Sequence, residues 1–95
     1  VGGSPDTLPR MGVSVFPNPA EAASRVWVEV TRTERVQVEL LNTMGQRVHL
    51  LSDAVLLPGR HALDVDLTGA APGAYVVVAS RPDGSSMAVR LLRMP

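Results

Sequence analysis

The sequence has no cysteine, no lysine and no isoleucine, and only three aromatic residues, Phe16, Trp27 and Tyr75, in 95. Without cysteine there is no disulfide framework, no thiol nucleophile and no thiolate zinc site. The nine basic residues are therefore all arginine, and nine acidic residues balance them. Such a chain has no cationic excess for binding phosphate backbones, so a nucleic-acid partner is not expected. The missing lysine and isoleucine together read as codon bias from a GC-rich genome. No apolar run approaches the ~18 residues of a membrane span. A Gly-rich phosphate loop, HExxH and GxSxG are all missing. Val1-Gly2-Gly3-Ser4-Pro5 is not a signal peptide, so any export signal is expected on a parent protein joined ahead of residue 1.

What the sequence does have is turns. Eight glycines and eight prolines accompany 45% hydrophobic residues, a composition for many short elements around one small core. Residues 1–11 show no period of 2 or 3.6 and read as a linker from a preceding domain, with one domain over 12–95. From Gly12 onward, strands and turns alternate. The first strand, Val13–Phe16, stops at Pro17-Asn18-Pro19, because proline donates no ladder hydrogen bond. The second, about Ser24–Val30, alternates Val26, Val28 and Val30 with Arg25, Trp27 and Glu29, the period of a half-buried strand. The third puts Val36, Val38 and Leu40 on one face. Asn42-Thr43-Met44-Gly45 turns, and a weaker fourth strand, Arg47–Leu51, points Val48 and Leu50 inward. The apolar residues beyond it, Val55, Leu56 and Leu57, have no assigned place.

After Pro58-Gly59, the fifth strand (Arg60–Leu67) directs Leu63, Val65 and Leu67 inward and Asp64 and Asp66 outward. The sixth, Ala74–Ser80, is almost wholly apolar and suits a central position. Asp83-Gly84 marks a hairpin into the last strand, Ser86–Arg93, with Met87, Val89 and Leu91 on one face and Ala88, Arg90 and Leu92 on the other. Seven short antiparallel strands without a helix predict an all-β, immunoglobulin-like sandwich with no disulfide; a small barrel is the competing architecture.

Catalysis finds little support. His49 and His61 fall on different strands, and no nucleophile sits beside a base. Asp64, Asp66 and Asp83 are oxygen donors of the calcium type, although outward aspartates mostly keep a sandwich surface wet. No catalytic, cofactor or metal residue is assigned. Trp27 points outward and is a candidate aromatic contact for a sugar ring or a neighbouring domain. Tyr75, just after Pro72-Gly73, is expected to point inward with its hydroxyl bonded to backbone.

The order of motifs adds a resemblance. Val15-Phe16-Pro17-Asn18-Pro19 comes first, then Leu41-Asn42-Thr43-Met44-Gly45-Gln46-Arg47-Val48, then Pro58-Gly59-Arg60-His61. Leu67 follows, leading to Ala71-Pro72-Gly73-Ala74-Tyr75-Val76-Val77 and a basic-apolar last strand. Over residues 13–94 this resembles the C-terminal sorting domain of the type IX (Por) secretion system of Bacteroidetes and related bacteria. The resemblance implies an immunoglobulin-like fold, no catalysis and no cofactor. It implies an address read by the outer-membrane translocation and attachment machinery once the covalently linked parent has entered the periplasm. The parent then becomes secreted or attached at the cell surface. Pro17, Asn18, Pro19, Asn42, Gly45, Gly59, Gly73 and Tyr75 are the motif residues, serving the fold or recognition. Arg90 and Arg93 stand where the family often has lysine and are the candidate contacts to the translocon. Asn42 replaces a frequent aspartate and serves the same Asx turn. The alternative is an accessory carbohydrate-binding or spacer module of an extracellular polysaccharide-degrading enzyme.

Overall fold

The valine alternation becomes buried alternation in the computed structural model, which describes residues 11–95. The strands are β1 (Met11–Phe16), β2 (Ala23–Val30), β3 (Glu34–Asn42), β4 (Arg47–Leu56), β5 (Gly59–Asp66), β6 (Gly73–Ser80) and β7 (Ser86–Arg93). They form two sheets, ordered β1-β2-β5 and β4-β3-β6-β7, and every pairing is antiparallel. This is the immunoglobulin-like sandwich that the strand count predicts; two separate sheets, not a closed barrel, hold the core.

The core is built from the inward positions of both sheets. Val26, Val28, Val30 and Val65 come from the three-stranded sheet. Val36, Val38, Leu40, Tyr75, Val77, Ala79 and Leu91 come from the four-stranded one. β-branched valine suits a pleated, half-buried strand, and it fills the place isoleucine would otherwise take. Complete burial of each large side chain contributes roughly 1.5–3 kcal/mol. Leu67, one residue past β5, is also fully buried, as the alternation predicts.

Two features depart from the sequence reading. Met11, placed there in the linker, opens β1, pairs with Val30 and is buried; the rest of the linker, residues 1–10, lies outside the described residues. The larger departure is β4. It continues through Val55 to Leu56, and its pairing with β3 slips twice. Val38 faces Ser52 but Glu39 faces Leu50; Leu40 faces His49 but Leu41 faces Arg47. Leu51 and Val48 are the extra residues, and each bulge reverses the alternation of the strand. Val48 and Leu51 therefore pack on the core, while Leu50, expected inward, is 48% exposed.

β7 follows its predicted register. Leu91 is fully buried and Val89 packs against the core. Met87, on the same alternation, stands at the rim and is 43% exposed. No helix among the described residues is long and apolar enough to cross a membrane.

Candidate functional site

The last strand and the segment that holds it form the most specific arrangement in the molecule. β7 is an edge strand, paired with β6 on one side only. In an antiparallel pair, each residue turns both backbone groups either toward its partner or away from it. Leu92 turns both away from β6, and both are taken up by the segment that follows β1. Its N–H donates to Asn18 Oδ1 at 3.0 Å. Its carbonyl accepts from Ala20 N–H at 2.8 Å. Arg90 O accepts from Asn18 Nδ2 at 2.7 Å, and Met94 N–H donates to Ala20 O at 2.7 Å.

The reason lies in the sequence Pro17-Asn18-Pro19. Neither proline has an N–H to give. The Asn18 side chain carries one acceptor oxygen and an NH₂ donor, the same two functions as a peptide group. It thus substitutes for a strand backbone where the prolines cannot, and its two partners fix which way the amide points. Ala20, fully buried, continues the pairing through a parallel bridge to Arg93. Ser24 Oγ donates to Pro17 O at 2.8 Å and ties the segment to β2. The bonds Phe16–Pro17 and Asn18–Pro19 are both cis.

The two candidate recognition arginines part company here. Arg93 is half-buried; its Nε donates to Leu67 O at 3.0 Å and its Nη1 to Met94 O at 2.6 Å. It pins the end of β7 to the end of β5. Arg90 is exposed and donates to no described residue. Arg25, Arg35, Arg47 and Arg81 are all in ion pairs, with Asp64, Asp53, Glu39 and Glu34. Arg81–Glu34 is the least exposed of these, at 14% and 11%.

The other motif residues shape turns. Asn42 Oδ1 accepts from Met44 N–H at 2.9 Å and Gln46 N–H at 3.0 Å, and its Nδ2 donates to Gln46 Oε1. Gly45 carries the positive φ, 81°, that closes this Asx turn, a conformation that costs a residue with a Cβ. Gly59 and Gly73 likewise have positive φ and open β5 and β6. Tyr75 is buried and its hydroxyl donates to Ala71 O, four residues upstream. This is the tyrosine corner of immunoglobulin-like sandwiches, and it locks the turn before β6.

Trp27 does face outward, but an arginine covers its ring. The Arg60 guanidinium sits 4.5 Å from the ring centroid, with that of Arg25 at 5.9 Å. Both are cation–π contacts that engage the ring within the domain. The pairing of β2 with β5 sets Arg60 opposite Glu29 and so diagonal to Trp27, a neighbour that β2 alone does not reveal. Phe16, on the same outer face, is 75% exposed.

The aspartates are spread among separate local partners. Asp64 pairs with Arg25 at 3.0 Å, Asp66 accepts from Thr68 N–H at 2.9 Å, and Asp83 accepts from Ser85 N–H and Oγ. Hydrogen bonds from the Thr68 side chain and amide hold Asp66 below its ordinary carboxyl value, and those from Ser85 do the same for Asp83. Among the described residues no three Asp, Glu, His or Cys side chains converge on a metal position. His61 Nε2, on β5, lies 2.6 Å from the carbonyl of Leu57 in the β4–β5 turn.

The fold and this clamp define an immunoglobulin-like domain whose final strand is fastened by its own Pro-Asn-Pro segment. A family model, the secretion system C-terminal sorting domain, matches residues 14–91. The chain belongs to that family, the sorting domains of the type IX secretion system. Members are signals for export across the outer membrane to the secreted or cell-surface state, and the family is non-catalytic. No curated protein matches the chain.

Proposed function

We propose that this domain directs a parent protein, joined ahead of residue 1, from the periplasm across the outer membrane and onto the cell surface. The membership of residues 14–91 in the sorting family carries this reading. The partners are the outer-membrane translocation machinery and the machinery of surface attachment. The domain acts as an address and performs no chemistry. Of the two candidate arginines, Arg90 bonds to no described residue and is open to the translocon, while Arg93 keeps the last strand in place.

The test is a fusion. Residues 1–95 are attached to a periplasm-targeted fluorescent protein in a host with the type IX system, and surface display is compared with a fusion lacking Ser86–Pro95. Display that requires the last strand and stops when the translocon is disabled supports the proposal. Fluorescence retained in the periplasm in both cases, with the domain folded, contradicts it.

A further inference from the structure

The Asn18 clamp stops partway along β7, and what it leaves is as specific as what it covers. Its last contact is Arg90 O. Arg90 and Ala88 share the alternation of Leu92, so the Arg90 N–H and both backbone groups of Ala88 point away from β6. Among the described residues nothing bonds to them. Ser86, Met87, Ala88 and Arg90 are exposed. On the other edge of the same sheet, β4 is interrupted by two bulges between Arg47 and Ser52, a feature that discourages strand addition there.

We propose that the segment Ser86–Arg90 is a docking edge for an extended strand of a partner protein, apolar on one face and acidic on the other. The inference rests on the sorting role above and names the part of β7 that is read. Three observations set the chemistry of the occupant. The open N–H and C=O groups call for a peptide backbone in strand conformation. The exposed Met87, on the same face as the partly buried Val89, calls for apolar side chains on the inner face of the incoming strand. On the outer face, the register lines up Arg90 with Val76 and Leu41, and Ala88 with Val78. The Arg90 guanidinium, which bonds to no described residue, stands beside Val76 and calls for a carboxylate. The clamp supports the arrangement by fixing the register of β7, so that these groups arrive in order.

Export of the fluorescent fusion, with the full chain, tests the inference through two variants. Ala88→Pro removes an outward N–H that bonds to no described residue and obstructs the edge. Arg90→Glu reverses the charge of a side chain that bonds to no described residue. With unfolding temperatures near that of the parent domain, A88P is expected to lower display about tenfold and R90E severalfold, with R90K close to unchanged. Should A88P not fold, R90E decides: lost display from a folded domain supports the docking edge. Wild-type display from the folded variants overturns it. A wild-type fusion that remains in the periplasm overturns the sorting role, and the docking edge with it.

Discussion

The two edges of the four-stranded sheet, β4 and β7, face the same hazard of open backbone groups and meet it differently. β4 is kinked by bulges at Val48 and Leu51, which turn two side chains into the core and leave the strand irregular between Arg47 and Ser52. β7 stays regular, and a side-chain amide seals only its C-terminal half. A bulged edge is protected where the bulges fall. A clamped edge is protected where the clamp reaches and remains a template where it does not. Of the two, only β7 keeps one register with its neighbour from end to end, and the proposed docking edge lies on it.

The comparison can be broken at its core contacts first. Leu91 on β7 is fully buried, whereas Leu51 on β4 is partly buried. Leu91→Ala is expected to cost about 2–5 kcal/mol and Leu51→Ala about half as much, read by urea unfolding. Equal costs would mean that the bulged strand anchors the sheet as firmly as the regular one.

Next comes the clamp. Asn18→Ala removes two hydrogen bonds to β7 and is expected to cost roughly 1–2 kcal/mol, given the net value of each bond. Asn18→Asp keeps the acceptor for Leu92 N–H but sets a carboxylate against Arg90 O, so it should be no more stable than Asn18→Ala at neutral pH. A thermal melt of either variant that matches the parent would remove Asn18 from the account of β7. Tyr75→Phe, on neighbouring β6, deletes the bond to Ala71 O in the turn before that strand and should cost about 1 kcal/mol by the same measurement.

The smallest effect is pH dependence. Asp66 and Asp83 have folded values below the ordinary 3.8. Their bonds therefore stabilise the fold above that pH, and the contribution is lost as pH falls through the lowered folded values. The double variant Asp66→Asn, Asp83→Asn should show a shallower loss of unfolding temperature between neutral and acidic pH. An unchanged slope would show that these turns do not contribute to acid sensitivity.

Much of this molecule is legible from local pattern. Alternating valines give β2 and β3 and their buried faces, Asp83-Gly84 gives the last hairpin, and Pro72-Gly73 before Tyr75 gives the tyrosine corner. Trp27 is correctly placed outward. What sequence reading misses depends on partners distant in the chain. Leu50 faces out because β4 slips against β3, and a slip cannot be read from one strand. Arg60 reaches Trp27 only through the β2–β5 register. Asn18 reads as a turn residue, yet its amide partners lie 72 and 74 residues away. Arg93 looks like a free cation until Leu67 O is brought beside it. A cue for Asn18 did exist: between two prolines, its side chain is the nearest source of the donor that the backbone lacks.

Amide hydrogen exchange along β7 tests the central claim most directly. The account predicts slow exchange at Leu92 and Met94, which donate to Asn18 and Ala20, and fast exchange at Ala88 and Arg90, which open outward. In Asn18→Ala, the Leu92 amide should join the fast group. Protection of Ala88 and Arg90 equal to that of Leu92 in the parent domain would contradict it, because the edge would then already be closed.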